Sequence, residues 1–349
     1  MKRLALGLAA GAVLAGVGAT AEIARRNRVI ARRVPDGAEF GSVRGQVRTV
    51  IADDGVPLHV EVHEAPTGSH NRKADLTLVL VHGYALNSDC WHFQRAGYAG
   101  QLRVVAYDHR SHGRSGRSTP GNATIEQLAA DLLTVLDQVV PEGPVVLVGH
   151  SMGGMTIIGL AEEHPELFGD RIVGVGLIAT TAGGLTPHRM LLPMVPTSVG
   201  GSFAERLVVG LNRVHRQVDG GRRLGRRVTT VITDLFAFGD DVPASYVAFV
   251  DEMLRNTPFE VVAEFYGNFA ALDKFGAVPA LSSVPTTIIC GTADRLTSIG
   301  HSRKLHAHID GSRLVEFPGA GHMVIMERHA EVNDALDGLL AEVLQLGAD

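Results

Sequence analysis

The chain has 349 residues, 45% hydrophobic and 20% charged, with a formal net charge of −5. That length can bury a large core and carry an insertion, and the slightly acidic balance gives no overall drive toward nucleic acid. Its two cysteines, Cys90 and Cys290, are too few for a disulfide framework or a cysteine-based zinc site.

The first segment differs from the rest. Residues 4–21 carry no charge and follow Lys2 and Arg3. A signal peptide has a basic start, an apolar middle and a small-x-small cut site, and Ala19-Thr20-Ala21 has that form. A membrane anchor needs about 20 apolar residues, and this run is just long enough. Arg25, Arg26, Arg28, Arg32 and Arg33 come next. The more basic flank of a span stays on the cytoplasmic side. The expectation is a membrane-associated chain, tethered through residues 4–24 of a segment covering 1–33, with its body facing the cytoplasm. Export after cleavage near Ala21 is the alternative, and a non-spanning amphipathic or disordered leader is the remaining reading.

From about residue 45 the pattern becomes regular. "VRTVIA" (47–52) and "LHVEVHE" (58–64) predict two strands around the turn "DDGVP". Further strands are predicted at 76–83, 102–108, 144–150, 171–180, 286–291 and 312–322. Most are apolar runs ending in Gly, Asp or His. Helical patterns separate the later ones, such as "TIEQLAADLLTVLDQV" (124–139). A hairpin-like start followed by alternating β and α units implies a mostly parallel sheet covered on both faces. Functional groups in such sheets gather beyond the carboxyl ends of the strands.

The strand ends therefore carry the search for chemistry. "VVLVGHSMGG" (145–154) runs a buried strand straight into a helix through Ser151. So tight a turn needs small residues two before and two after the serine, and Gly149 and Gly153 supply them. This is the G-x-S-x-G nucleophile elbow. A serine hydroxyl needs a base, a group to orient that base, and donors for the oxyanion. "GAGHM" puts His322 just after the last strand, and "CGTADRLTS" puts Asp294 just beyond the one before. The chain order Ser151, Asp294, His322 is that of the hydrolase triad. The end of the strand after the elbow helix, Ala179-Thr180-Thr181, offers no competing carboxylate. Met152 N–H and, after Gly83, Tyr84 N–H are the candidate oxyanion donors, with both side chains expected at the pocket mouth. The cluster His301, His306 and His308 reads as a solvated helix face, because no carboxylate or cysteine stands at ligand spacing.

Taken together, "HGY", "YDHRSHGRS", "GHSMGG", "GTADRLTS" and "GAGHM" make the chain resemble the α/β-hydrolase fold superfamily, in its serine-nucleophile branch, over about residues 45–349. The resemblance implies an eight-stranded, mostly parallel sheet with helices on both faces. It implies a core in two parts, 34–184 and 260–349, with a helical cap at 185–259. It also implies that Asp108 and Arg110 shape loops, and that Ser111 stands where the motif usually has glycine. Of the apolar cap residues, Met190, Leu191, Leu192, Phe236 and Phe238 are expected in the cap's own core. The basic stretch 213–227 is expected as a solvated loop.

An elbow serine argues against epoxide hydrolase and dehalogenase chemistry, which this superfamily runs from an aspartate. The expected activity is cleavage of a small-molecule carboxylic ester through an acyl-enzyme, with no metal or organic cofactor. Carbon–carbon hydrolase, thioesterase, lactonase, perhydrolase and acyltransferase activities use the same triad. A non-catalytic binding protein on the hydrolase fold is the remaining alternative.

Overall fold

The structure, a computed structural model, describes residues 20–65, 72–119, 121–185 and 222–347. Residues 20–31 form helix α1. Strands β1 (Gln46–Ile51) and β2 (Pro57–His63) make an antiparallel hairpin. There follow β3 (Thr77–Val81), α2 (His92–Tyr98), β4 (Arg103–Tyr107), α3 (Ile125–Val139), β5 (Val145–His150), α4 (Met152–Glu163) and β6 (Ile172–Ile178). Three helices, α5 (Arg222–Ala237), α6 (Ala244–Asn256) and α7 (Phe259–Ala271), come before the next strand. The chain ends with β7 (Thr286–Gly291), α8 (Ile299–His306), β8 (Arg313–Phe317), α9 (Val324–Glu327) and α10 (His329–Leu346).

The eight strands form one sheet in the order β1-β2-β4-β3-β5-β6-β7-β8. β2 pairs antiparallel with β1 and β4, and every later pairing is parallel. The β3 and β5 sequences, all aliphatic at the centre, are buried on both sides, as a covered parallel sheet requires. α3, α4 and α8 pack on one face, and α2 and α10 on the other. The close approach of α10 explains Gly174 and Gly176 in β6. A Cβ at Gly174 would stand 2.7 Å from Val343, and one at Gly176 would stand 3.3 Å from Leu336.

Sequence signals explain the helix ends. Thr124 caps α3 by accepting the Gln127 N–H, so α3 starts where the cap residue predicts it. Pro165 does not continue α4 but opens a short 3₁₀ turn.

The N-terminal segment and the basic stretch at 213–227 each correct an expectation. Residues 20–24, read as the end of the tether, are the first turns of α1, and Ile23 packs against the core. α1 rests on α5, where the Asn27 amide donates to Arg227 O at 3.0 Å. Arg33 binds Asp234 and, at 2.6 Å, Asp241. Phe40 stacks on Phe249 of α6 at 4.4 Å. The reason is burial: a partly apolar helix finds an apolar partner in α5 and α6. Residues 1–19 lie outside the described residues, and no helix among the described residues is long and apolar enough to cross a membrane. The basic stretch expected as a loop is helical where it is described, at residues 222–227.

Candidate active site

The ends of β3, β5, β7 and β8 that the sequence singled out lie together at the carboxyl end of the parallel strands. Ser151 follows β5 directly and has φ 53° and ψ −116°. A non-glycine residue with positive φ is strained, and only crowding from all sides holds it there. The crowding is visible at the flanking glycines. A Cβ at Gly149 would stand 2.5 Å from the Gly153 carbonyl carbon, and one at Gly153 would fall on Val81 O. The Ser151 backbone is tied at both ends. Its N–H donates to Ile178 O at 2.9 Å, and its carbonyl accepts the Thr180 hydroxyl at 2.6 Å.

Asp294 and His322 meet. His322 Nδ1 lies 2.9 Å from Asp294 Oδ2. Asp294 is buried, and burial by itself would raise its pKa. The His322 ring and the hydrogen bonds outweigh that and hold the carboxyl below its ordinary value. Those bonds are many: Oδ1 accepts the N–H groups of Leu296 and Thr297, at 2.8 and 3.0 Å. The Thr297 hydroxyl stands 2.8 Å from Oδ2 and 2.6 Å from Ala179 O. It thereby fastens the Asp294 loop to the end of β6, the strand end that offers no carboxylate of its own.

Ser151 and His322 line one cavity of about 230 Å³, together with Gly83, Tyr84 and apolar side chains of α5, α6 and α7. Gly83 brings the loop after β3 against the elbow. A Cβ there would stand 2.8 Å from His150 Nδ1 and 3.1 Å from Ser151 Cβ. Met152 N–H is the first of α4, and the first N–H groups of a helix have no intrahelical acceptor. The Gly83–Tyr84 peptide is oriented by His82. His109 N–H donates to His82 Nε2 at 2.9 Å, so the His82 proton sits on Nδ1 and is donated to Gly83 O at 2.7 Å. In a trans peptide the C=O and the next N–H point opposite ways. Tyr84 N–H is therefore turned away from His82. A carboxylate–imidazole pair, a hydroxyl on a helix N-terminus and an oriented backbone donor can together carry nucleophilic acyl transfer.

Residues 78–335 match the alpha/beta hydrolase family. The chain belongs to that family. Among solved structures the hydrolase is similar to an esterase from Thermogutta terrifontis, with TM-score 0.67 and 25% identity over 86% of this chain and 99% of that one. It is also similar to the enol-lactonase of Burkholderia xenovorans, with TM-score 0.66 and 25% identity over 84% of this chain and 100% of that one. An uncharacterized protein of Mycobacterium tuberculosis is 28% identical over 272 residues, 74% of either chain.

Within this hydrolase several expectations need correction. Tyr84 lines the cavity, but the Met152 side chain does not reach its mouth. It is buried against Met155, Phe265 and Ile125, because the first turn of α4 points it into that cluster. Phe236 lines the cavity instead of filling a cap core, while Phe238 is buried as expected. Met190, Leu191 and Leu192 lie outside the described residues. Ser111 has φ 65°, which is why glycine is usual there, and its hydroxyl accepts Ser118 N–H at 2.8 Å. Asp108 holds the loop after β3 by accepting Ser88 N–H at 2.8 Å. Arg110 is fully buried between Asp131 and Asp54, at 2.6 and 2.7 Å. Both thus shape loops, as the resemblance implies. Cys90 and Cys290 are free and buried, and burial pushes the Cys290 thiol up to about 11.

Some functional neighbours had no clear sequence signal. Glu327 accepts N–H bonds from Gly321, Asp240 and Gly239, at 2.8, 2.6 and 3.2 Å, and so fixes the loop that carries His322. His150 and Thr297 are adjacent to motif residues, but their partners come from 172 and 118 positions away.

Proposed function

We propose that this hydrolase cleaves small, uncharged carboxylic esters through an acyl-enzyme on Ser151. The observation that carries the reading is the 2.9 Å Asp294–His322 pair at a cavity that Ser151 also lines. In this reading His322 Nε2 takes the Ser151 hydroxyl proton as Oγ attacks the ester carbonyl. The oxyanion that forms is received by the N–H groups of Tyr84 and Met152. His322 then returns the proton to the departing alcohol, leaving the acyl group on Oγ. Water, deprotonated by His322, attacks that acyl group and releases the acid. Asp294 keeps the His322 proton on Nδ1 and stabilises the ring when it is charged. No step calls for a metal or an organic cofactor, and the partner is the small-molecule substrate, not nucleic acid.

The cavity walls support an apolar acyl group. Ile232, Phe236 and Leu254 face it. In the same reading residues 185–259 act as a cap, with α5 and α6 forming the wall that sizes the acyl pocket and excludes water. Lactones are a second substrate form, since a cyclic ester presents the same carbonyl; the likeness to the enol-lactonase supports including them. Membrane association is proposed for the apolar residues before α1, with the hydrolase on the cytoplasmic side. A chain lacking residues 1–19 should then leave the membrane fraction.

The test is hydrolysis of p-nitrophenyl esters from acetate to palmitate by the full chain, with Ser151→Ala alongside. The full chain is needed because α1 and Arg33 support α5. The expected result is turnover of short or medium esters that disappears in Ser151→Ala. Turnover that survives the substitution, or a folded protein that cleaves no ester or lactone, would overturn the proposal.

A further inference from the structure

The loop that carries the proposed oxyanion donor is held from the far side by the α6–α7 corner. Ala85, next after Tyr84, has φ 58°. This is the left-handed region, where an alanine is strained and relaxes unless its surroundings prevent it. Thr257 sits between α6 and α7, with Pro258 behind it. Its hydroxyl is buried and donates to Ala85 O at 3.0 Å. Among the described residues this is the only hydrogen bond to Ala85 O. One residue earlier, the Tyr84 hydroxyl donates to Val262 O in α7. The loop is therefore pinned twice to α6 and α7 and once, through His82 and Gly83 O, to the sheet.

The Thr257 hydroxyl has a second acceptor. Met253 O, one turn back in α6, lies 3.3 Å away. A threonine can bond the carbonyl four residues earlier on its own helix. One hydroxyl proton cannot serve both acceptors fully. If α6 shifts off the loop, Thr257 stays satisfied by its own helix, while Ala85 O loses its donor and the strained φ loses its restraint. The proton thus has two places to go, and one of them holds the oxyanion loop in shape.

We infer that Thr257 is a positioning residue for the oxyanion site: its hydrogen bond to Ala85 O locks the left-handed Ala85 and so fixes where Tyr84 N–H points. The inference rests on the serine-hydrolase reading above. Thr257 lies 106 residues from Ser151 in the sequence and touches the loop, not the proposed reacting atoms.

The experiment compares Thr257→Val, which keeps the shape and removes the donor, with Thr257→Ser, which keeps the donor. Both are made in the full chain and assayed on p-nitrophenyl butyrate beside wild type and Ser151→Ala. A trifluoromethyl ketone, whose hemiketal oxygen mimics the oxyanion, serves as the second probe. The expected result is a 5- to 20-fold loss of kcat in Thr257→Val with KM within twofold. Trifluoromethyl ketone affinity should fall by a similar factor, and Thr257→Ser should stay within twofold of wild type throughout. If the valine variant does not fold, Thr257→Ala gives the same comparison. Wild-type kcat in the variant lacking the hydroxyl, or equal losses with valine and serine, would overturn the inference while leaving the hydrolase reading intact. Wild type no more active than Ser151→Ala would overturn both.

Discussion

His150 donates its Nε2–H to the backbone carbonyl of His322 at 2.9 Å. The residue before the proposed nucleophile thus holds the main chain of the proposed base. The acceptor is a carbonyl, so Nε2 carries a proton. Burial, followed by the neighbouring His322 ring, pushes the His150 pKa down to about 3, so the ring is neutral, Nδ1 is bare and the bond does not titrate in the physiological range. Replacing His150 by Phe fills much of the space but leaves His322 O without its donor. Removing one partner of a buried hydrogen bond costs about 1–3 kcal/mol. We expect Thr180 and Ile178 to keep Ser151 in place, so that stability falls by that amount and kcat falls about tenfold. Urea unfolding and ester kinetics on the same variant check it. An unchanged kcat would show that His322 needs no such tether.

Ser151 carries backbone strain, which the proposed nucleophile role explains. At φ 53° a serine is strained by about 1–3 kcal/mol, while glycine is at ease there. Ser151→Gly removes the hydroxyl and the strain together. The greater freedom of glycine in the unfolded chain offsets part of the gain, about 0.5–1 kcal/mol. The expected outcome is a protein with no ester turnover and a midpoint of unfolding slightly above wild type. Calorimetry decides it, and a lower midpoint would mean the elbow is not strained.

Four buried histidines, His82, His109, His112 and His150, make stability depend on pH. Burial is the largest cause in each, and it lowers all four pKa values, His112 and His150 to about 3. The unfolded value is about 6.5. Between the two the unfolded chain binds protons that the folded chain refuses, so the native state loses stability as pH falls. The contribution is fully present above about pH 6.5 and shrinks below it. For His112 and His150, whose folded values lie near 3, the loss between pH 7 and 5 is on the order of 1–2 kcal/mol each. Urea midpoints measured across that range should fall steadily. A flat profile would mean these rings accept protons in the folded state.

Phe236 should set the acyl chain length. It is half-buried on α5 and lines the cavity beside Ile232. Phe236→Ala opens the far wall and should move the preferred p-nitrophenyl ester to longer chains. Each methylene newly buried is worth about 0.8 kcal/mol, roughly a fourfold gain in kcat/KM. The readout is the kcat/KM series from acetate to palmitate. A uniform loss across the series, with no shift of optimum, would place Phe236 outside the acyl path.

The fold and the order of the candidate triad are legible along the chain alone. Fully aliphatic runs such as Val145–Val148 suit only a covered strand, and Gly149 and Gly153 have no use unless the serine between them sits on a sharp turn. These signals are local, carried by neighbours within a few positions, so they are legible in one dimension. Asp294 and His322 were legible for the same reason, as residues just past strand ends. Whether they touch, and what supports them, was decided by the tertiary structure. The Thr257–Ala85 and His150–His322 bonds each join residues 172 positions apart, and nothing in either neighbourhood encodes the other. The docking of α1 on α5 was likewise unreadable, since Ile23 and Ile30 stand among basic residues that read only as the flank of the apolar run, and their partners come from far along the chain. Met152 and Phe236 traded places for a related reason. Apolar side chains carry no mark of which cavity they face, and only the helix orientation, fixed by packing, assigns one to the core and the other to the pocket.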